Sequence, residues 1–410
     1  VTAPVPNTAS PTGSGGDPTV PGWDAVLLAG FGGPEGPDDI MPFLRNVTRG
    51  RGIPEERLVE VSHHYEALGG VSPINEQNRQ LQAALNAELR RRGIDLPVLW
   101  GNRNWAPYLP DVVTEAFAEG HTRLLGLATS AYSSYSSCRQ YREDFGGALA
   151  STGLVGQVRI DKIRHYFDHP GFLAPFSDGT IAAVRQAMAT GLALADLQIV
   201  FTTHSIPITM TESSGPAGTY PAGSGGAYVT QHLAACALVA GDVAEAFGED
   251  PSWQLAYQSR SGPPSMPWLD PDINDVINDL PATGKRGIIV VPIGFVSDHV
   301  EVVWDLDNEA KETAEEAGLF FARVGTPGSL PVFVSALVDL IVERLDPTVA
   351  PVGRSDLGPT PNPCGVNCCA NLRAAKPTTA GADSAADWAG TDVDPALLRR
   401  SGIPGVPVGS

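Results

Sequence analysis

The sequence predicts an α/β protein with parallel sheets covered by helices on both faces, arranged in two similar halves. Segments that read as buried strands alternate with segments that read as helices through the whole central part of the chain. Two of the strands, IVFTTHSIP over 199–207 and IIVVPIGFVSDHVEVVWDLD over 288–307, are apolar runs that break abruptly into polar clusters. A buried parallel strand reads this way where its carboxyl end opens into a ligand crevice. At 410 residues the chain is too long for one ordinary core, and its 42% hydrophobic content can bury a sizeable one.

Residues 1–22 are rich in Pro, Gly, Ser and Thr and are expected to be a disordered tail. AVLLAGFGGPEGPDD then reads as a buried strand, a Gly-Pro turn and a helix start with acids in its first turn. NEQNRQLQAALNAELRRRG is an amphipathic helix that ends at Gly93, LPVLWGNRN a strand, DVVTEAFAEG a helix, and TRLLGLATSAYSSYS a strand entering a hydroxyl-rich loop. The pattern repeats with VGQVRID as strand, PFSDGTIAAVRQAMATG as helix and LQIVFTTHSIP as strand. Next come the helix TQHLAACALVAGDVAEAFG, the strands WQLAYQSRSG and GIIVVPIGFVSDH, and the closing helix LPVFVSALVDLIVERL. The Gly/Ser/Pro-rich stretch 212–226 is expected to be a mobile insertion that could serve as a lid. The expected division is a first domain over 23–160, a second over 161–346, and a C-terminal extension over 347–410 that carries cysteines and has a disordered end.

The formal net charge is −19, from 27 basic and 46 acidic residues. Nucleic acid needs a concentrated basic surface, so it is not an expected partner, and adhesion to an anionic membrane face is disfavoured too. No run reaches the ~18 apolar residues of a membrane helix, and the N-terminus lacks the basic and apolar regions of a secretory signal. A cytoplasmic location is expected. The five cysteines are odd in number and crowded toward the end, unlike a secreted disulfide framework.

Chemistry concentrates at the two strand ends. Pro207 closes the strand that carries His204 and can hold the imidazole at the sheet edge, where it can accept a proton or ligate a metal. If a helix starts after Ser297, then Asp298, Glu301, Asp305, Glu309 and Glu312 recur at three- and four-residue spacing and line one face. Such a row is ordinarily a solvated face. Here it starts from a very apolar strand and is interleaved with Val302, Val303, Trp304 and Leu306, which suits a ladder for a metal ion or departing protons. Phe31, Trp268 in the Pro-braced PPSMPWLDP, and Tyr132, Tyr135 and Tyr141 offer aromatic faces for a large flat ligand. GFGG at 30–33 fails the dinucleotide spacing, which excludes NAD from the expected ligands.

Cys364, Cys368 and Cys369 fall within six residues. Four thiolates hold zinc or an iron–sulfur cluster, so a fourth must come from Cys138 or Cys236. Cys138 follows the loop YSSYSS and is the favoured partner, whereas Cys236 lies in the apolar helical run LAACALVA.

The blocks FGGPEGPDD, NVTRGRG, HYEALGGVSPIN, HSIP, MPWLDP and VPIGFVSDHVEVVWDLD, in this order from Trp23 to Asp346, resemble the ferrochelatase family. The resemblance implies two Rossmann-like domains with a porphyrin cleft between them, and insertion of Fe2+ into the porphyrin without redox change. It implies that His204 and Glu301 are the catalytic pair that also meets the iron. It implies that Ser72 and Tyr141, with Phe31 and Trp268, contact the porphyrin, and that Asp298, Asp305 and Glu309 form a path for protons or hydrated iron. The acidity, the Pro/Ala-rich ends and the tail cysteines resemble the actinobacterial branch, which implies coproporphyrin III as substrate, a step of heme biosynthesis. Some members carry a 2Fe–2S cluster on four cysteines, three of them C-terminal, which implies Cys364, Cys368 and Cys369 here, with Cys138 favoured over Cys236 as the fourth. Protoporphyrin IX, another tetrapyrrole chelatase reaction, and a non-catalytic tetrapyrrole or metal carrier remain the alternatives. Some Gram-positive members have Tyr where this chain has Phe31, which offers iron no ligating atom. The charged stretch RNVTRGRGIPEERL stands where animal members have an apolar membrane lip, which implies a soluble enzyme without stable membrane insertion; a monomer is also expected.

Overall fold

The computed structural model describes residues 22–379 apart from 51, 263–264, 362–363, 365–366 and 375. The expected tails over 1–21 and 380–410 lie outside the described residues. The strands make two parallel four-stranded sheets. In the first, β1 (Ala25–Gly30), β2 (Val98–Asn102), β3 (Arg123–Ala128) and β4 (Arg159–Lys162) lie in the order β2-β1-β3-β4. In the second, β5 (Leu197–His204), β6 (Trp253–Gln258), β7 (Gly287–Val291) and β8 (Phe320–Arg323) lie in the order β6-β5-β7-β8. This is the α/β architecture that the alternation of strands and helices predicts. The first sheet runs to Lys162, two residues past the expected domain boundary at 160.

Both sheets reverse their strand order in the same place. The chain moves from β1 outward to β2, then returns to the other side of β1 for β3; β5, β6 and β7 repeat the move. Loops that leave the carboxyl ends of strands beside such a reversal diverge and leave a crevice. His204 leaves β5, and the segment that reaches Glu301 leaves β7, so the topology sets these two residues beside the second crevice. Every residue of β1 and β7 is buried, as strands covered on both faces must be.

The two halves share one hydrophobic core. Leu28, Leu81 and Leu85 of the first half pack in the same cluster as Val184, Phe201 and Leu337 of the second. The helix Pro331–Leu345 lies against the helix Ile74–Arg91 of the first half, where Arg92 pairs with Asp339 at 2.5 Å. The buried pair Arg164–Glu343, at 2.7 Å, ties the inter-sheet segment to the same helix. Nearer the cleft, the hydroxyl of Tyr132 donates to the carbonyl of Ile293 at 2.9 Å, and the amide of Asp298 donates to Gln77 at 3.0 Å.

Two segments are more tightly held than their composition implies. The insertion over 212–226 is pinned at its root: the Glu212 carboxylate accepts the amides of Gly223 and Gly225 at 3.0 and 3.2 Å. A Cβ on Gly226 would lie 2.1 Å from the carbonyl oxygen of Thr211, so only glycine admits that close approach. The described part of the C-terminal extension is a strap across both halves. Arg354 pairs with Asp242 at 2.6 Å, Ser355 donates to Asp168 at 2.7 Å, and Thr379 donates its amide to the carbonyl of Arg142 at 3.2 Å. Among the described residues no helix is long and apolar enough to cross a membrane.

Candidate active site

His204 is the last residue of β5, and the backbone that follows it stays paired. Ser205 donates to the carbonyl of Gln258 at 2.8 Å. Ile208 donates to Pro267 at 3.0 Å and Leu269 donates to Ile206 at 3.1 Å, which brings HSIP and MPWLDP together as a short antiparallel contact between Pro207 and Trp268. Trp268 is fixed where a Cβ on Gly262 would lie 2.1 Å from its indole nitrogen. The Nδ1 of His204 meets the carbonyl oxygen of Ser205. A carbonyl can only accept, so Nδ1 carries the proton, and in the neutral ring Nε2 holds the lone pair. That Nε2 faces Oε2 of Glu301 at 3.6 Å, with the two side chains 33% and 53% exposed. The gap is longer than a hydrogen bond, which leaves both groups free to address a third partner.

Glu301 enters through a short helical turn, Val300–Val302, that widens into a π-helical turn over Val303–Glu309. π turns within helices occur mostly at functional sites. This turn carries Asp305 and Glu309, and the charges of Glu301 and Glu309 both reach Asp305. Val300 packs with Ile40, Phe43, Leu44, Leu58 and Tyr65 of the first half. Phe31 lies 6.3 Å from Phe43, ring edge to face, so it stands on the same wall as Glu301.

Asp305 accepts from the hydroxyl of Ser259 and from the amide of Gln258, the latter at 3.1 Å. Burial, assisted by the charges of Glu301 and Glu309, pushes its carboxyl up to about 7. The folded state therefore keeps a proton that an unfolded aspartate sheds near ~4, and stability falls as pH rises through that window. Asp305→Asn should accordingly stabilise the protein by on the order of 1–3 kcal/mol above pH ~7 and by nothing near pH ~4. Denaturant unfolding at both ends of the window checks this, and a pH-independent offset would sink it.

The acidic row is not one continuous face. Asp298 precedes the helix and pairs instead with Arg323 at 3.1 Å, and Arg323 also holds Asp307 at 2.5 Å. Glu309 accepts the indole N–H of Trp304 at 2.8 Å, while Glu312 lies on the following helix, Ala310–Glu316. Ser72 is buried against Gly33, where a Cβ would lie 2.6 Å from its own. Tyr141 is buried in the first-half core, its ring 4.3 Å beneath the guanidinium of Arg103. Tyr132 is also a core residue, and Tyr135 donates to Glu143 at 3.0 Å.

Sequence reasoning missed His64. It stacks parallel on Trp304, with ring centroids 4.3 Å apart, and joins the helix Glu55–Ala67 of the first half to the π turn of the second. The dipeptide HH in an ordinary amphipathic helix carries no signal of this. His299 is likewise held below the usual histidine range by burial.

Four cysteines gather away from this pair. Cys138, on a second π turn over Tyr135–Arg139, lies 3.9 Å from Cys364, and Cys368 lies 3.9 Å from Cys369, sulfur to sulfur. Cys138, Cys368 and Cys369 are buried, and Cys364 packs against them. The amide of Gly215 donates to the Cys369 sulfur at 3.2 Å. Cys236 is buried apart from them, in the main core. Their donor chemistry is that of a thiophilic metal centre, but among the described residues no group of three or more His, Cys, Asp or Glu is placed so that it could hold a metal ion.

Two doubly wound sheets, with a histidine and a glutamate facing each other at 3.6 Å and a buried aspartate on the next turn, make an α/β protein whose strand ends gather a proton acceptor and carboxylates. The chain belongs to the ferrochelatase family: the family model described as Ferrochelatase matches residues 23–345. It is 58% identical, over 88% of its length and 94% of the relative's, to the coproporphyrin III ferrochelatase of Leifsonia xyli subsp. xyli. It is 52% identical, over 88% and 97%, to the coproporphyrin III ferrochelatase of Streptomyces coelicolor. Among solved structures, the sirohydrochlorin chelatase SirB from Bacillus subtilis subspecies spizizenii is similar at a TM-score of 0.42 with 9% identity, covering 79% of this chain and 95% of that one.

Proposed function

We propose that the chain inserts ferrous iron into coproporphyrin III to form coproheme in heme biosynthesis. The observation that carries the reading is the His204–Glu301 pair, 3.6 Å apart at the carboxyl ends of β5 and beyond β7. The names of its relatives support the choice of porphyrin. Insertion replaces two pyrrole protons by Fe2+, with no change of oxidation state. The Nε2 lone pair of His204 accepts a pyrrole proton, and Glu301, on the opposite side of the gap, meets the incoming iron or takes the second proton. Asp305, with a carboxyl that titrates at about 7, is suited to pass protons outward at neutral pH. Glu309 continues this path, and Asp298 braces its inner end through Arg323. Phe31 and Trp268 supply aromatic faces to the macrocycle, with Ser72 and Tyr141 supporting them from within the wall. Binding energy from the closed aromatic walls can bend the ring and expose its nitrogen lone pairs.

Cys138, Cys364, Cys368 and Cys369 hold a 2Fe–2S cluster in this reading. When bound, the cluster cross-links the C-terminal strap to the turn that carries Cys138. The acidic surface and the charged stretch after Arg45 support a cytoplasmic monomer without stable membrane insertion.

Anaerobic incubation with Fe2+ and either coproporphyrin III or protoporphyrin IX, followed by absorbance, tests the reading. The metalloporphyrin spectrum is expected to develop faster with coproporphyrin III. Faster conversion of protoporphyrin IX would overturn the substrate, and binding of both without conversion would make the protein a carrier.

A further inference from the structure

The cysteine centre and His204 are joined by a short path of hydrogen bonds linked through the Ser214–Gly215 peptide and the Tyr228 side chain. Tyr228 stands in the first turn of the helix Gly226–Phe247 and is buried. Its hydroxyl donates to the carbonyl of His204 at 2.9 Å. That uses its single proton, so the hydroxyl of Thr203, 2.8 Å away, is the donor to the Tyr228 oxygen. The backbone of Tyr228 donates to Ser214 Oγ at 2.9 Å, and Ala227 donates to the Ser214 carbonyl at 3.2 Å. The next residue, Gly215, is clamped to Cys369 in both directions: its amide donates to the sulfur at 3.2 Å, and its carbonyl accepts the amide of Cys369 at 2.9 Å. The ring of Tyr228 cannot swing aside. It meets His232 at 4.4 Å, and His232 stacks on Tyr132 at 3.6 Å.

We infer that Tyr228 is a positioning residue for His204 and that the Cys369–Gly215 clamp holds Tyr228 in register, so that the cysteine centre governs where the catalytic imidazole stands. The inference rests on the proposed role of His204. Reaction rates depend steeply on placement, whereas ground-state binding of a large macrocycle is spread over many contacts. Loosening the carbonyl of His204 therefore acts on turnover and leaves porphyrin affinity in place. It also frees the β5 end to exchange its amide hydrogens with solvent.

Tyr228→Phe keeps the ring and removes the hydroxyl. Its kcat for iron insertion should fall about tenfold, with porphyrin Kd unchanged within about twofold. Hydrogen–deuterium exchange over 199–207 should rise relative to wild type. Thr203→Val, nearly isosteric, should shift both readouts in the same direction and carries the test if Tyr228→Phe fails to fold. Cys369→Ala should raise exchange over 211–228 and also over 199–207. Unchanged kcat in Tyr228→Phe, or a parallel loss of kcat and porphyrin affinity, would overturn the positioning role. Exchange in Cys369→Ala confined to the tail would overturn the clamp. If wild type itself fails to metallate either porphyrin, the proposed function fails, and the exchange at 199–207 alone decides the coupling.

Discussion

His204→Ala is expected to abolish iron insertion while leaving porphyrin binding largely intact. The side chain is one-third exposed and stands at a strand end, so its removal opens no large cavity in the core and the fold should persist. Removal of Nε2 takes away the proton acceptor that faces Glu301. General-base contributions run to about 10²–10⁴-fold, and among the described residues Nε2 is the nitrogen that faces Glu301, so the loss should reach the upper end of that range. The clean measurement pairs anaerobic metallation kinetics with porphyrin binding by fluorescence quenching. Turnover within about tenfold of wild type would remove His204 from the chemistry. Glu301→Gln should be less severe, because Asp305 stands behind it and shares its field.

Cys138→Ser is expected to cost both the visible colour of the purified protein and much of its stability. Cys138 belongs to the first half, whereas Cys364, Cys368 and Cys369 belong to the strap. A centre that joins them closes a loop of more than 200 residues. A covalent link across so long a loop is worth about 5 kcal/mol by the chain-entropy relation. The strap should then detach, with faster exchange over 352–379, and its contacts to Asp168 and Asp242 should weaken. Cys236→Ala serves as the control, since that thiol is buried in the main core and should leave the colour intact. A colourless wild type with stoichiometric zinc would refute the iron–sulfur assignment.

The alternation of strand and helix was legible because buried parallel strands are continuous apolar runs, and β1, β5 and β7 are of that kind. The end of β5 was legible for the same reason: the run ending at His204 changes from apolar to polar within one or two residues. Family resemblance supplied the porphyrin, which no periodicity encodes. The acidic row misled at its first member. Asp298 lies before the helix begins, and its partner Arg323 is 25 residues away on another strand. In the insertion over 212–226, composition does not show that Gly226 serves a close backbone approach to Thr211 or that Glu212 pins the root of the stretch.

The end of β5 at His204 is thus a local property of the chain, set by the point where an apolar strand stops. The expected strand through 299 stops at Val291, and Glu301 is carried ten residues further, on the helical turn Val300–Val302. The separation of His204 and Glu301 by 3.6 Å, the stacking of His64 on Trp304, the gathering of Cys138 with the tail cysteines, and the tie from Tyr228 to His204 were decided only in the tertiary structure. Each joins residues far apart in the chain through packing of helices and loops on the two sheets. Such pairings depend on the order and register of strands, which hydrophobic pattern constrains but does not specify residue by residue.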